Sequence, residues 1–237
     1  MWNPALFNLV ALAAMIPAAL ASLRRSQQGK DGLFLALLAL AIAGPVVWAA
    51  AQLADQWHTG LSTTLWVIIA GSLVLFGLLV ATVRQAWRLT PLLLPYLMLL
   101  GVLAALFDQV QGRELVIVAP LAWREAHILV AVATFGLFTM AAVAALAASL
   151  QERALKTKRP TNLSRALPSV ADSEMLANRL LAVSELVLGL GLVTGMATLY
   201  LETGFLLLFS HKIMLSIVVF IVIGLLLIGH RGCGVRG

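Results

Sequence analysis

Read for its alternation of apolar and polar positions, the chain breaks into long apolar blocks separated by short polar connections. The blocks fall at about 4–23, 32–53, 63–83, 91–107, 126–150, 179–201 and 211–229. Apolar runs of about 20 residues suit helices that cross a hydrocarbon core of roughly 30 Å. The pattern predicts an all-α, polytopic transmembrane bundle of about seven spans, forming one integral membrane domain over residues 1–237. The first block has small residues, Ala19-Leu20-Ala21, where a signal peptidase could cut. It lacks a basic leading region, and Arg24-Arg25 follow at once, which fits a retained span better.

Two connections depart from the short polar type. Segment 108–125 holds an apolar stretch from Leu115 to Trp123, interrupted by Pro120. It is too short to span and is predicted to lie in the interface as a short helix or re-entrant piece. Segment 151–178 is predicted to be a polar loop, opening with the basic run Arg153 to Arg159 and breaking at Pro160. That run reads as an anchor to anionic lipid on the cytoplasmic side.

Composition narrows the class. With 62% hydrophobic and 11% charged residues, the chain lies far from the average soluble domain. It is equally unlike a disordered segment, which combines low hydrophobicity with high net charge. The net charge of +6 would invite a nucleic-acid reading, but the basic residues sit in connections and no aromatics interleave with them. No nucleic-acid partner is expected. All 16 Lys and Arg except Arg113, Arg124 and Lys212 fall on one side of the spans. Positive charge gathers on the cytoplasmic side, so the N-terminus is predicted outside and the C-terminus inside. Cys233 is the single cysteine, so no thiolate cluster or internal disulfide forms, and there is no CxxCH, CxxC, Walker or GxSxG motif.

Ionisable groups in or beside hydrocarbon are functional candidates by default. Three of the 4 histidines map to the outer side: His58 in the loop Asp55-Gln56-Trp57-His58, His127 opening the fifth span, and His211 opening the seventh. His127 and His211 each sit in the first turn of an outside-to-inside span. Two imidazoles at matching depth could ligate one heme iron from opposite faces. Arg124 and Lys212 beside them could pair with propionates. The competing account is interfacial solvation, in which each ring simply reaches water or headgroups. Spacing alone leaves both accounts open. His230 closes the seventh span on the inner side, a membrane thickness from His211. Glu185 lies inside the sixth span, where a packing hydrogen bond and a proton relay are both available to it. Gly191 and Gly195 form a GxxxG suited to close helix packing within the bundle.

Several segments stand in a fixed order along the second half of the chain. They are Ala126-His127-Ile128, the helix ending Leu150-Gln151-Glu152-Arg153, and Leu167-Pro168-Ser169. Leu190 to Gly195, His211-Lys212 and the tail Gly232-Cys233-Gly234-Val235-Arg236-Gly237 follow in that order. Over about 123–237 this set resembles the cytochrome c assembly membrane proteins, in particular the HemX-like branch of the CcsA/CcmC superfamily. The resemblance implies a non-enzymatic, heme-handling protein of the bacterial inner membrane that assists c-type cytochrome assembly. A heme b would lie near the outer face, with His127 and His211 as iron ligands and Arg124, Lys212 and His58 around it. The tryptophan-rich motif of the heme-presenting relatives is absent, the 6 tryptophans being dispersed. Relatives often continue into a further span where this sequence stops. The partners implied are membrane lipid and proteins of cytochrome c maturation or heme synthesis. Two other classes stay in view: a scaffold regulating a heme-synthesis enzyme through 151–178, and a small-solute transporter with helices broken at Pro45 and Pro91.

Overall fold

The computed structural model describes residues 4–24, 30–54, 58–108, 113–114, 121–204 and 211–232. Eight α-helices occur among them: α1 (Pro4–Arg24), α2 (Gly32–Ala54), α3 (Leu61–Thr82), α4 (Thr90–Leu106), α5 (Leu121–Thr157), α6 (Asn162–Ala166), α7 (Val170–Thr203) and α8 (His211–Gly232). Six of them are long and apolar enough to cross a membrane, and α8 carries a shorter apolar run, Ile213–Gly229. The chain is a multi-pass, all-helical membrane protein. Residues His58–Thr59 form a two-residue strand, β1, which pairs antiparallel with β2 (Arg113–Glu114), so two connections at one end of the bundle are joined.

Helices α1 to α4 form one packed group and α5, α7 and α8 continue from it in a row, with α5 resting on α3. Small residues let the helices close up. A side chain at Gly44 would meet Ala14 of α1, and one at Gly71 would overlap Val132 of α5. In lipid, where apolar burial gives no drive, such backbone approach supplies the packing energy. The core of the first group is aromatic: Trp48 and Trp66 are stacked with ring centroids 5.3 Å apart, both fully buried. Pro45 lies within α2 without ending it, and Pro91 occupies the first turn of α4, where a missing N–H costs nothing. Neither proline breaks a span, which removes the helix breaks expected of a transporter.

The segment 151–178, expected as a loop, is mostly helical. Helix α5 runs on to Thr157, and Glu152 pairs with Lys156 one turn later on its exposed face. It stops at Lys158, whose φ of 52° is left-handed. The Lys158 N–H reaches the Leu155 carbonyl and the Arg159 N–H reaches that of Ala154, the Schellman pattern usually built with glycine. Thr161 then caps α6 in a reciprocal box with Ser164. Leu167 is fully buried, Pro168 follows, and the Ser169 hydroxyl accepts the Asp172 N–H to start α7. Leu167-Pro168-Ser169 is thus an anchor, a stop and a cap. The Gln151 amide donates to the carbonyls of Ser164, Leu167 and Pro168, while Arg88 donates to those of Ala166 and Arg165. These two side chains strap the elbow to the bundle.

Candidate functional site

The fifth helix starts at Leu121, earlier than hydropathy alone predicts, because Ala122, Arg124 and Glu125 are good helix formers, though Arg124 and Glu125 are too polar to read as part of a span. His127 therefore stands in the second turn of α5, not the first, and turns toward α7. Its Nδ1 lies 2.9 Å from the Thr194 Oγ1. The Thr194 hydroxyl donates its one proton to the Gly191 carbonyl at 3.1 Å, so its oxygen accepts from His127 Nδ1–H. In that arrangement Nε2 carries the lone pair. Among the described residues no protein group bonds to Nε2.

The ring is seated by glycine. A Cβ built on Gly195 would stand 3.0 Å from His127 Cε1, and one on Gly191 would stand 3.4 Å from Val130 of α5. The GxxxG therefore faces α5 inside the bundle, as its spacing suggests. Thr194 gathers two further donors on its backbone carbonyl, Trp123 Nε1 at 3.3 Å and Thr198 Oγ1 at 2.9 Å. Trp123 stands one helical turn before His127, so one face of α5 holds an indole and an imidazole against one threonine.

The other candidates are placed by backbone. His211 and Lys212 are the first two residues of α8, which packs on α7 at the same end of the bundle as His127. Helix α7 stands between α5 and α8, so the two histidines belong to helices that flank a common neighbour. Arg124 lies three residues before His127 on α5, at a spacing that makes helical neighbours. His58 pairs with Glu114 in the β1–β2 ladder at this end as well. The side chains of His58, Arg124, His211, Lys212 and His230 lie outside the described residues, as does most of segment 108–125. His230 belongs to the opposite end of α8, roughly 28 Å from His211 by helical rise. Among the described residues no three His, Cys, Asp or Glu side chains group to hold a metal.

Glu185 is buried on α7, its Oε2 without a partner and its Oε1 3.3 Å from where a Gly224 side chain would begin on α8. It faces α8, well below the His127 level. Thr194 and Trp123 are the neighbours of the candidate site that residue-type reasoning passes over. The available signal was Thr194 lying between two glycines of a packing motif.

An axial histidine ligates through one ring nitrogen while the other is held by a hydrogen bond that fixes its tautomer. His127 meets that requirement with Nε2 free and Nδ1 held. Residues 30–237 match the family model described as cytochrome c assembly protein. The chain is 52% identical over 235 residues to the "Uncharacterized 28.8 kDa protein in nifR3-like 5'region" of Azospirillum brasilense, covering 98% of this chain and 87% of that protein. No solved structure matches significantly. The chain belongs to the cytochrome c assembly protein family, and its role lies in c-type cytochrome biogenesis.

Proposed function

We propose that this protein is a non-enzymatic heme-handling component of the bacterial inner membrane, of the HemX-like branch, which holds a heme b near the outer face during c-type cytochrome assembly. One observation carries the reading: the Thr194 hydroxyl holds His127 Nδ1 at 2.9 Å, which leaves Nε2 as the free donor. His211 is the second iron ligand in this proposal, and Arg124, Lys212 and His58 surround the propionates and rim. When bound, heme would supply an iron that takes nitrogen donors and can change between ferrous and ferric states, with His127 and His211 the residues that would hold it. The protein residues orient and shelter. Trp123 and Thr194 hold the α5 and α7 backbones together, Gly195 leaves room for the ring, and the basic residues offer charged donors to carboxylates.

The natural partners are proteins of cytochrome c maturation or heme synthesis, since this chain has no thiol pair or CxxCH acceptor to complete heme attachment itself. The test is an absorption spectrum of the detergent-purified protein, oxidised and reduced. A Soret band with sharp reduced bands is expected. A featureless visible spectrum from protein produced with ample heme would replace this reading with that of a scaffold acting through 151–178.

A further inference from the structure

At the opposite end of the bundle from His127, α3 and α7 both pack on α5 and make little contact with each other. The gap between them is a cleft of about 380 Å³. Its walls are apolar, with Leu79 and Val83 on the α3 side and Leu180 and Val183 on α7. Its mouth carries Arg84, just past the end of α3, and Arg179, where α7 enters its apolar run. Both arginines are exposed, and among the described residues neither has a hydrogen-bond or ion-pair partner. Arg84 and Gln85 also border a second, more polar cleft of about 530 Å³ that includes Lys30 and Trp87.

Two unpaired guanidinium groups above an apolar slot at the membrane surface match a molecule with an anionic head and a hydrocarbon tail. We propose that this cleft binds one anionic glycerophospholipid of the phosphatidylglycerol type, its phosphate between Arg84 and Arg179 and an acyl chain between α3 and α7. Asp172 also lines the cleft, held by the Ser169 hydroxyl at 2.7 Å. A glycerol headgroup offers hydroxyl donors to that carboxylate. Two arginines against one aspartate leave a single positive charge, which one phosphodiester neutralises and a zwitterionic lipid does not. The site is independent of the heme reading.

The test uses the full chain, delipidated in detergent and titrated separately with dioleoylphosphatidylglycerol and dioleoylphosphatidylethanolamine, with retained lipid read by native mass spectrometry. Wild type should retain phosphatidylglycerol preferentially. The double variant Arg84→Gln/Arg179→Gln should bind it roughly thirtyfold more weakly. Val183→Trp, which fills the slot and keeps both charges, should also weaken it, and Arg153→Gln/Arg159→Gln should not. Equal retention of the two lipids would overturn the proposal. So would an equal loss in the Arg153/Arg159 variant, which would mean diffuse surface charge. If the double variant fails to fold, wild-type binding by Val183→Trp is itself sufficient to reject the site.

Discussion

His127 and Thr194, on α5 and α7, lie 67 positions apart in sequence and 2.9 Å apart at their side-chain tips. This contact ties a histidine near the start of one membrane-spanning helix to a hydroxyl on the next. Thr194→Val removes the acceptor and keeps the shape. Heme affinity should fall about 10- to 100-fold, as it does when the partner of a ligating histidine is lost. Thr194→Ser, which keeps the hydroxyl, should bind near wild type. Titration of apoprotein with hemin, followed at the Soret band, separates the two.

The outer histidines should act as one unit. His127→Ala and His211→Ala should each abolish the low-spin spectrum, and the double change should add little. His230→Ala should leave it intact, being roughly 28 Å away along α8. His58→Ala, at the rim of the proposed site, should weaken heme retention and leave the low-spin spectrum of the bound fraction in place, and loss of that spectrum would make His58 an iron ligand. Wild-type heme content in both single variants would end the paired-ligand reading.

Gly195 is where a methyl group has no room. With the new Cβ 3.0 Å from His127 Cε1, Gly195→Ala should push the ring by a few tenths of an ångström, and Gly195→Val should displace it. Thermal unfolding in detergent should show a loss of about 1–3 kcal/mol for Gly195→Val, together with loss of the heme spectrum. Gly229→Ala has open space around it and should change neither.

Lys158 holds a left-handed conformation that glycine adopts without strain. Lys158→Gly should stabilise the α5 terminus by about 0.5–1 kcal/mol, the relief of αL strain being partly offset by the greater entropy of the unfolded chain. The midpoint of thermal unfolding in detergent should rise slightly. A fall would mean that the lysine side chain contributes more than the strain costs.

Topology is open to direct measurement. Reporter fusions after Gln28 and within 156–165 should report cytoplasm, and fusions near Gln111 should report the outer side. Inversion of these would move His127 to the cytoplasmic face and reverse the proposed location of heme.

The helical bundle was legible because hydropathy measures transfer into lipid, and that is what selects the spans. The ends were not. Glu152, Arg153 and Lys156 are poor lipid residues but good helix formers, so α5 runs past the hydrocarbon to a cap that only backbone geometry reveals. Val170 to Asn178 behaves likewise, started by the Ser169 cap. At the site, His127 was visible by residue type and Gly191 and Gly195 by spacing. Their convergence was not, because the partner of His127 depends on how α5 is rotated against α7. Trp123 is one of several dispersed tryptophans in the sequence, and only the packing of α5 on α7 brings its indole to the Thr194 carbonyl.

The lengths of α5 and α7, 37 and 34 residues, have a mechanical meaning. At 1.5 Å per residue each rod measures roughly 50–55 Å, well beyond a hydrocarbon core of about 30 Å. The surplus of roughly 20–25 Å per rod is helix that stands outside the hydrocarbon or is taken up by tilt, and at one end it carries the elbow that Gln151 and Arg88 strap to the bundle. The same two rods carry His127 and Thr194 near their other ends. A tilt or slide of one against the other, imposed from the elbow, would be felt as a change in the separation of ring and hydroxyl on the far side.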